Sequence, residues 1–503
     1  MNLRRFSQLS LALAALALLS GAFVVLTCAN GWTLWYGDAQ AHVNIARRVI
    51  DSRTPGIYQI GTVWLPLPHA LMLLFVWNDW LWRTGLAGAI PAALSFIAAG
   101  GFLFATVRRI FDSAAAAWAS LAIFAINPNL LYLQATPMTE PISLAAIAGL
   151  LYTTVRFGES PSFRWAAAAG LVGALGSLTR YEGWFVLPFA AAFILWKGRS
   201  RRFLKALLFC AIAGAGPLFW LAFNWYFWGN ALEFYNGPWS AQAIYARGLH
   251  AGLPRYPGDR DWAVAMLYVG SAVAALTGLT PFLLALPGVL IALWRRALWP
   301  LLFLALTPLF YVWGLHAGSV PIYIPSLWPH SYYNTRYPIA VLLLLGFAAG
   351  ATVLLAPRRF RPFAALAVAL LAVTPWLVHR HPNDWICWKE SEANSSSRRA
   401  WTAQAATVLQ RDYHGGGIFA DFGDITGVFA RAGIPLREAF HEGNVPAWDG
   451  AVARPDLMLF EKWAVAIEGD TVYKTIFRAS PRYELVRAIN VPGARTVYIW
   501  RRN

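Results

Sequence analysis

The chain has 503 residues, of which 58% are hydrophobic and only 13% charged, about half the charged share of an ordinary soluble domain. With a mean hydropathy of +0.48, this composition excludes a disordered chain, a collagen-like or disulfide-built scaffold and an ordinary cytosolic enzyme. It reads as a polytopic α-helical membrane protein with some soluble chain attached. The formal charge of +17 is uneven: residues 1–379 hold 25 Lys and Arg against 10 Asp and Glu, residues 380–503 hold 16 against 14. In an apolar chain such an excess is a topology signal and a contact for anionic lipid, not a nucleic-acid site. Cys28, Cys210 and Cys387 have an odd count and no metal spacing, and read as incidental thiols.

Arg4-Arg5 precede an apolar run from Leu9 to Cys28 that lacks a convincing cleavage site, so it reads as an uncleaved first helix. Further apolar stretches lie near 85–107, 113–127, 141–157, 164–179, 183–196, 203–227, 263–293, 298–314, 338–356 and 362–379, which predicts about 11 transmembrane helices. Arg108/Arg109, Arg156/Arg164, the run Lys197 to Lys205, Arg295/Arg296 and Arg358/Arg359/Arg361 fall at alternate helix ends. The positive-inside rule then puts the N-terminus inside and the chain after 380 outside. The stretch 64–77, short and with two prolines, reads as an interfacial or re-entrant helix. The predicted organisation is a membrane domain, 1–379, with a first outer loop, 29–84, and a small extracytoplasmic α/β domain, 380–503. In the latter, Arg398–Arg411 and Ile425–Ala432 read as helices, and 417–420, 456–460, 483–487 and 496–500 as strands.

With so few acids before residue 380, each can be inspected. Asp112 and Glu159 flank inner helix ends and read as solvated charges; Asp38, Asp51, Asp79, Glu233, Asp259 and Asp261 lie in outer loops. Glu140 and Glu182 sit at outer helix ends beside apolar chain, where an ion is costly and therefore a functional candidate. Asp38, in WYGDAQAHVNIARRVI, can cap the helix that follows, and is also where a general base for a bulky hydroxyl acceptor would sit. Glu140, before Pro141, is at a cap-like position. Arg180 and Glu182, in SLTRYEGW, can pair locally. Arg336, in YYNTRYPIA, can snorkel to headgroups or fork onto a phosphate.

The acid after the first span, the second acid before a middle span and the Arg-Tyr-Pro opening a late span resemble, in order, sidedness and spacing, the GT-C superfamily of membrane glycosyltransferases. Within it the pattern is most similar to bacterial lipid-linked-sugar transferases of the protein O-mannosyltransferase and lipid A aminoarabinose transferase type. The resemblance covers residues 1 to about 380. It implies a sugar donor on a polyprenyl phosphate, an acceptor hydroxyl of an extracytoplasmic glycan, lipid or protein, direct displacement with inversion, and a bacterial inner-membrane location. It implies Asp38 as the base, Glu140 as a second catalytic acid positioning the acceptor, and Arg336 and Arg180 on the donor phosphate. Glu182, His42, His69, Trp64, Tyr337 and His330 are candidates to line the site. The absence of a glycine-rich phosphate loop agrees with a lipid-linked donor. No cofactor is required; a divalent cation is possible, Asp38 and Glu140 being the acids that could hold it.

There are departures. Protein O-mannosyltransferases carry Asp-Glu at the first-loop acid, whereas Asp38 is followed by Ala39. The Trp-Trp-Asp-Tyr-Gly motif of oligosaccharyltransferases has only ADFGD, Ala420 to Asp424, as its nearest string. Competing readings are a lipid-linked-sugar transporter or flippase, a polysaccharide polymerase or ligase, and a non-catalytic assembly or sensor protein. A transporter calls for ionisable groups at mid-membrane, and here they cluster at helix ends. The aromatic, amphipathic loop 228–262 reads as an interfacial helix and a lid. Trp401, Trp448 and Trp463 read as core or membrane-surface residues rather than sugar platforms.

Overall fold

The computed structural model describes residues 3–423, 425–479 and 482–503, with side chains from residue 8 onward. Arg4, Arg5 and Asp424 of the sequence reading fall outside the described side chains. The chain divides into two compact units: Met1–Asn30, Thr62–Pro68 and Ala89–Glu390 form the first; Gly31–Gly61, His69–Gly88 and Ser391–Asn503 form the second.

The first unit is helical. Seven described helices are long and apolar enough to cross a membrane: Gln8–Ala29, Leu86–Phe111, Glu140–Glu159, Arg202–Trp228, Leu298–His316, Tyr337–Leu355 and Arg358–Val378. The expected single span at 263–293 is instead two helices, Trp262–Thr277 and Thr280–Trp294, bent by 106°. The break falls at Gly278, whose φ of +71° is a left-handed conformation that ends a helix. Counted as one span, this pair brings the number to eight.

The expectation of about 11 is not met by length. The stretches at 113–127, 164–179 and 183–196 are helices Ala114–Ala125, Phe163–Ser177 and Glu182–Lys197, of 12, 15 and 16 residues. At 1.5 Å per residue these reach roughly 18–24 Å, short of a hydrocarbon core of about 30 Å. Ser113 and Ser162 cap two of them through their side chains, and caps of this kind are invisible to a hydropathy window. The uncertain stretch 64–77 holds only the seven-residue helix Leu67–Leu73.

Small residues set the helix packing. A Cβ on Gly288 would collide with the Ala348 carbonyl, and one on Gly350 would lie 2.7 Å from the Ala116 carbonyl. Helices without such side chains approach closely enough to gain dispersion contacts in the absence of a hydrophobic driving force.

The second unit carries a five-stranded mixed sheet. Its strands are β1 (Ile418–Ala420), β2 (Ala439–Phe440), β3 (Trp463–Ile467), β4 (Tyr483–Ile489) and β5 (Val497–Arg502), in the order β2-β1-β3-β5-β4. β1 runs parallel to β2 and β3, and β5 antiparallel to β3 and β4. The α/β class is as expected. The 456–460 run is not a strand, however: Pro455 at the first helical position opens the short helix Pro455–Met458. Two strands are missing from the sequence reading: β2, only two residues long, and β3, buried along almost its whole length on both faces, so that it lacks the alternation that marks a half-exposed strand.

The predicted helix Arg398–Arg411 is part of Ile386–Asp412, and the predicted Ile425–Ala432 is Thr426–Ala432, closed by Gly433 in a left-handed conformation. One face of the sheet (Ile418, Ala420, Val465, Ile499) packs with Trp401, Ala405 and Leu409, and also with Val43, Ala46, Met72, Val76 and Trp82. Most of the loop 29–84 therefore shares the core of the C-terminal unit, and the division differs from a cut at 379/380. Trp401 and Trp463 are buried in this core and Trp448 in that of the opposite face, in agreement with their reading as core.

Candidate functional site

Five of the predicted site residues come together in the first unit. Glu140 is the first residue of the helix Glu140–Glu159, Arg180 lies in the turn before the helix Glu182–Lys197, and Arg336 precedes the turn Tyr337–Ala340. Glu140 Oε1 accepts from both Arg180 Nη1 and Arg336 Nε, each at 3.1 Å. Arg180 Nε also donates to Glu182 Oε1 at 2.7 Å, and its other nitrogens reach the Thr139 hydroxyl at 2.9 Å and the Tyr311 hydroxyl at 3.0 Å. The Tyr337 ring lies beneath both guanidiniums, at 5.0 Å from that of Arg180 and 5.2 Å from that of Arg336.

The bland alternatives resolve at atomic detail. Glu140 is not the cap residue, which is Thr139, and its carboxylate turns to the arginines. The local Arg180–Glu182 pair does form, but as part of the larger network. The Arg336 side chain is only 4% exposed and is ion-paired rather than snorkelled.

Glu390, absent from the sequence reading, completes the group. Its carboxylate accepts from Arg336 Nη1 at 2.8 Å, Asn334 N at 2.9 Å, Thr335 N at 2.8 Å and the Thr335 hydroxyl. Burial pushes the Glu390 carboxyl above its ordinary value, against the pull of Arg336 and these hydrogen bonds. Its signal is the acid pair in WKESEAN just after the last apolar stretch, in a part of the chain where acids are common enough that one does not stand out. Tyr311 gives no sequence signal at all, being one aromatic among many in an apolar helix.

The site thus sets two guanidiniums against three carboxylates, all largely buried. Desolvating five ions is tolerable only when each is paired. Glu140 Oε2 is buried and has no hydrogen-bond partner among the described residues. An array of this kind can hold an anion by exchanging carboxylate contacts for phosphate contacts.

Asp38, His42 and His69 belong to the second unit. Asp38 lies in the first turn of the helix Gly37–Ile50 and is half-buried; the cap residue is Tyr36, which makes no side-chain cap bond. The capping reading of Asp38 is therefore replaced by a first-turn carboxylate, still favoured there by the helix dipole. The segment before it is tied down by Arg398, which donates to the Trp35 carbonyl at 2.7 Å and lies where a Gly37 Cβ would be. One turn on, His42 Nδ1 and His69 Nε2 are 2.9 Å apart and buried, which requires one ring to donate and the other to accept.

Asp51 and Asp79 are structural, pairing with Arg47 at 2.8 Å each. Trp64 is half-buried in the first unit, on a segment held by Tyr181, whose hydroxyl donates to the Val63 carbonyl at 2.8 Å. His330 is exposed, and its ring Nδ1 lies 3.0 Å from the Pro325 carbonyl. Among the described residues no three His, Cys, Asp or Glu side chains form a group that could hold a metal ion.

The unit of long apolar helices and the α/β unit with its five-stranded sheet define a class: multi-pass helical membrane proteins with a small second unit. Residues 81–227 match the family model described as dolichyl-phosphate-mannose-protein mannosyltransferase. The fold is similar to that of ArnT from Cupriavidus metallidurans. The crystal structure of that protein bound to undecaprenyl phosphate aligns with a TM-score of 0.54 at 16% identity, covering 95% of this chain and 97% of that one. Its apo state aligns at 0.52 and 15%, covering 95% and 98%. By sequence, no curated protein matches the chain. The family model and the fold together bear out the resemblance to GT-C superfamily membrane glycosyltransferases.

Proposed function

We propose that the protein is an inverting glycosyltransferase that moves a sugar from a polyprenyl phosphate to a hydroxyl of an extracytoplasmic glycan, lipid or protein. The acceptor oxygen attacks the anomeric carbon and its proton passes to the Asp38 carboxylate. The bond from that carbon to the phosphate oxygen breaks, and its electron pair leaves with the phosphate. The departing group gains a full negative charge, so what it needs is positive charge already in place. Arg336 and Arg180 supply it, and Glu140 positions the acceptor. Glu182, Tyr337, Trp64, His42, His69 and His330 are candidates to line the site.

The observation that carries this reading is the buried pair of arginines sharing one carboxylate oxygen of Glu140, in a fold shared with a protein whose structure holds undecaprenyl phosphate. The reading includes a bacterial inner-membrane location with residues 380–503 on the extracytoplasmic side. The loop helix Ala241–His250 has no buried residue among its ten, which suits an interfacial lid.

The test is release of polyprenyl phosphate from a panel of polyprenyl-phosphate sugars, in membranes containing an acceptor extract and either the native protein or Asp38→Asn. Release by the native protein alone, at equal expression, is expected. Equal release by both removes Asp38 from the chemistry. Flipping without release returns the transporter reading.

A further inference from the structure

Glu390 has a geometry that the charge balance of the site does not explain. Its two oxygens collect donors from three consecutive residues: the backbone N–H of Asn334, the N–H and hydroxyl of Thr335, and the guanidinium of Arg336. Two consecutive N–H groups can converge on one carboxylate because Asn334 adopts a left-handed conformation, φ +54°, the arrangement that forms anion-binding backbone nests. A non-glycine residue persists in this conformation only where its surroundings hold it there. Asn334 is pinned further by its side chain, which donates to the Pro321 carbonyl at 3.0 Å.

The consequence falls on Arg336. A guanidinium that met only Glu140 would share a single oxygen with Arg180 and be free to rotate about that contact. With Nε on Glu140 and Nη1 on Glu390, at 3.1 and 2.8 Å, the plane of the guanidinium is fixed from two directions. A planar fork stabilises a phosphate well only when its orientation is set beforehand.

We propose that Glu390 is a positioning residue: through the Asn334–Thr335 turn and its own bond to Arg336, it holds that guanidinium in the orientation that stabilises the departing phosphate. This rests on the transferase reading above. Glu390 does not itself touch substrate. Its removal should weaken stabilisation that develops during transfer more than it weakens donor binding, because the loss of one negative charge favours ground-state binding of an anion while the loss of orientation acts on the leaving group.

The experiment uses the full-length protein in bilayer discs with the lipid-linked sugar that the native protein turns over. Native, Glu390→Gln, Glu390→Asp, Arg336→Lys and the double variant R336K/E390Q are compared by kcat, by donor KM and by the midpoint of thermal unfolding. Glu390→Gln is expected to lower kcat about 10- to 100-fold, or roughly 1.4–2.8 kcal/mol, with KM changed by less than about threefold. Glu390→Asp should recover part of the loss, and the double variant should be no slower than Arg336→Lys alone.

An unchanged kcat in Glu390→Gln overturns the proposal, as does a double variant in which the two losses multiply. If Glu390→Gln does not fold, Thr335→Val decides. It removes one of the donors on Glu390 and leaves every charge in place, and a fall of a few-fold in kcat at constant KM is expected; no change overturns the proposal. Native protein that releases no polyprenyl phosphate from any donor is a different failure: it removes the transferase reading, and the role of Glu390 falls with it.

Discussion

Replacing Glu140 by Gln keeps its shape and removes one charge, at the point where two guanidiniums meet. Arg180 Nη1 and Arg336 Nε each lie 3.1 Å from the same oxygen, so the two like charges stand about 6 Å or less apart, where their repulsion is about 3 kcal/mol at an effective dielectric of ~20. The variant loses two charge-assisted bonds and the screening of this repulsion; it regains only the desolvation of one carboxylate. Arg180 keeps Glu182 and Arg336 keeps Glu390, which limits the damage. The balance is a loss of about 3 kcal/mol, within the range for breaking a buried ion pair.

The assay is thermal unfolding of the solubilised protein, with Glu159→Gln as control. Glu159 pairs with Arg109 where both side chains are more than a third exposed, so its loss is expected to cost less than about 1 kcal/mol. Glu140→Gln should lower the midpoint by several degrees and Glu159→Gln by no more than about one or two. A Glu140→Gln midpoint no lower than that of the control would refute the claim that Glu140 holds the two arginines together.

Other outcomes test other parts of the structure. Gly183→Ala drives a methyl into the backbone at Gly176 and Ser177, and is expected to destabilise by about 1–3 kcal/mol. Gly214→Ala, in a helix with nothing within 4 Å of the added methyl, should be neutral or stabilise by up to about 1 kcal/mol; unfolding of the two variants side by side checks both.

In the second unit burial, with help from the neighbouring Asp421 charge, pushes Glu442 from its ordinary value to about 7. The folded chain then holds a proton that the unfolded chain gives up above about pH 4.5, so stability from this group falls as pH rises from there toward 7. Glu442→Gln should accordingly gain a few degrees in midpoint over the native protein at pH 7.5 and little at pH 5; a pH-independent difference would contradict the assignment. His441, which burial holds well below its ordinary value, acts in the opposite sense in both proteins, so the comparison cancels it to first order.

The class of this protein was legible in its sequence. Charged residues are rare enough in the first 379 positions that each acid and each terminal arginine can be weighed, and the cost of an ion beside apolar chain makes the survivors informative. Glu140, Arg180, Glu182 and Arg336 stand out that way, Tyr337 follows from the family resemblance, and they do meet. Local pattern also marked the α/β character of the C-terminal chain and the turn at Gly433.

Other features needed the tertiary structure. Whether an apolar run is a span depends on where caps and left-handed glycines end the helix, as at Ser113 and Gly278, and hydropathy averages over such single residues. Strand β3 is buried on both faces, so its pattern carries no period, and most of the loop 29–84 joins the C-terminal core through residues such as Val43, Met72 and Trp82. Glu390 and Tyr311 enter the ion cluster from positions far along the chain. Their roles are decided by which helices pack together, a choice spread over many weak contacts, whereas the cost of a buried charge is concentrated in one residue and can be read where it stands.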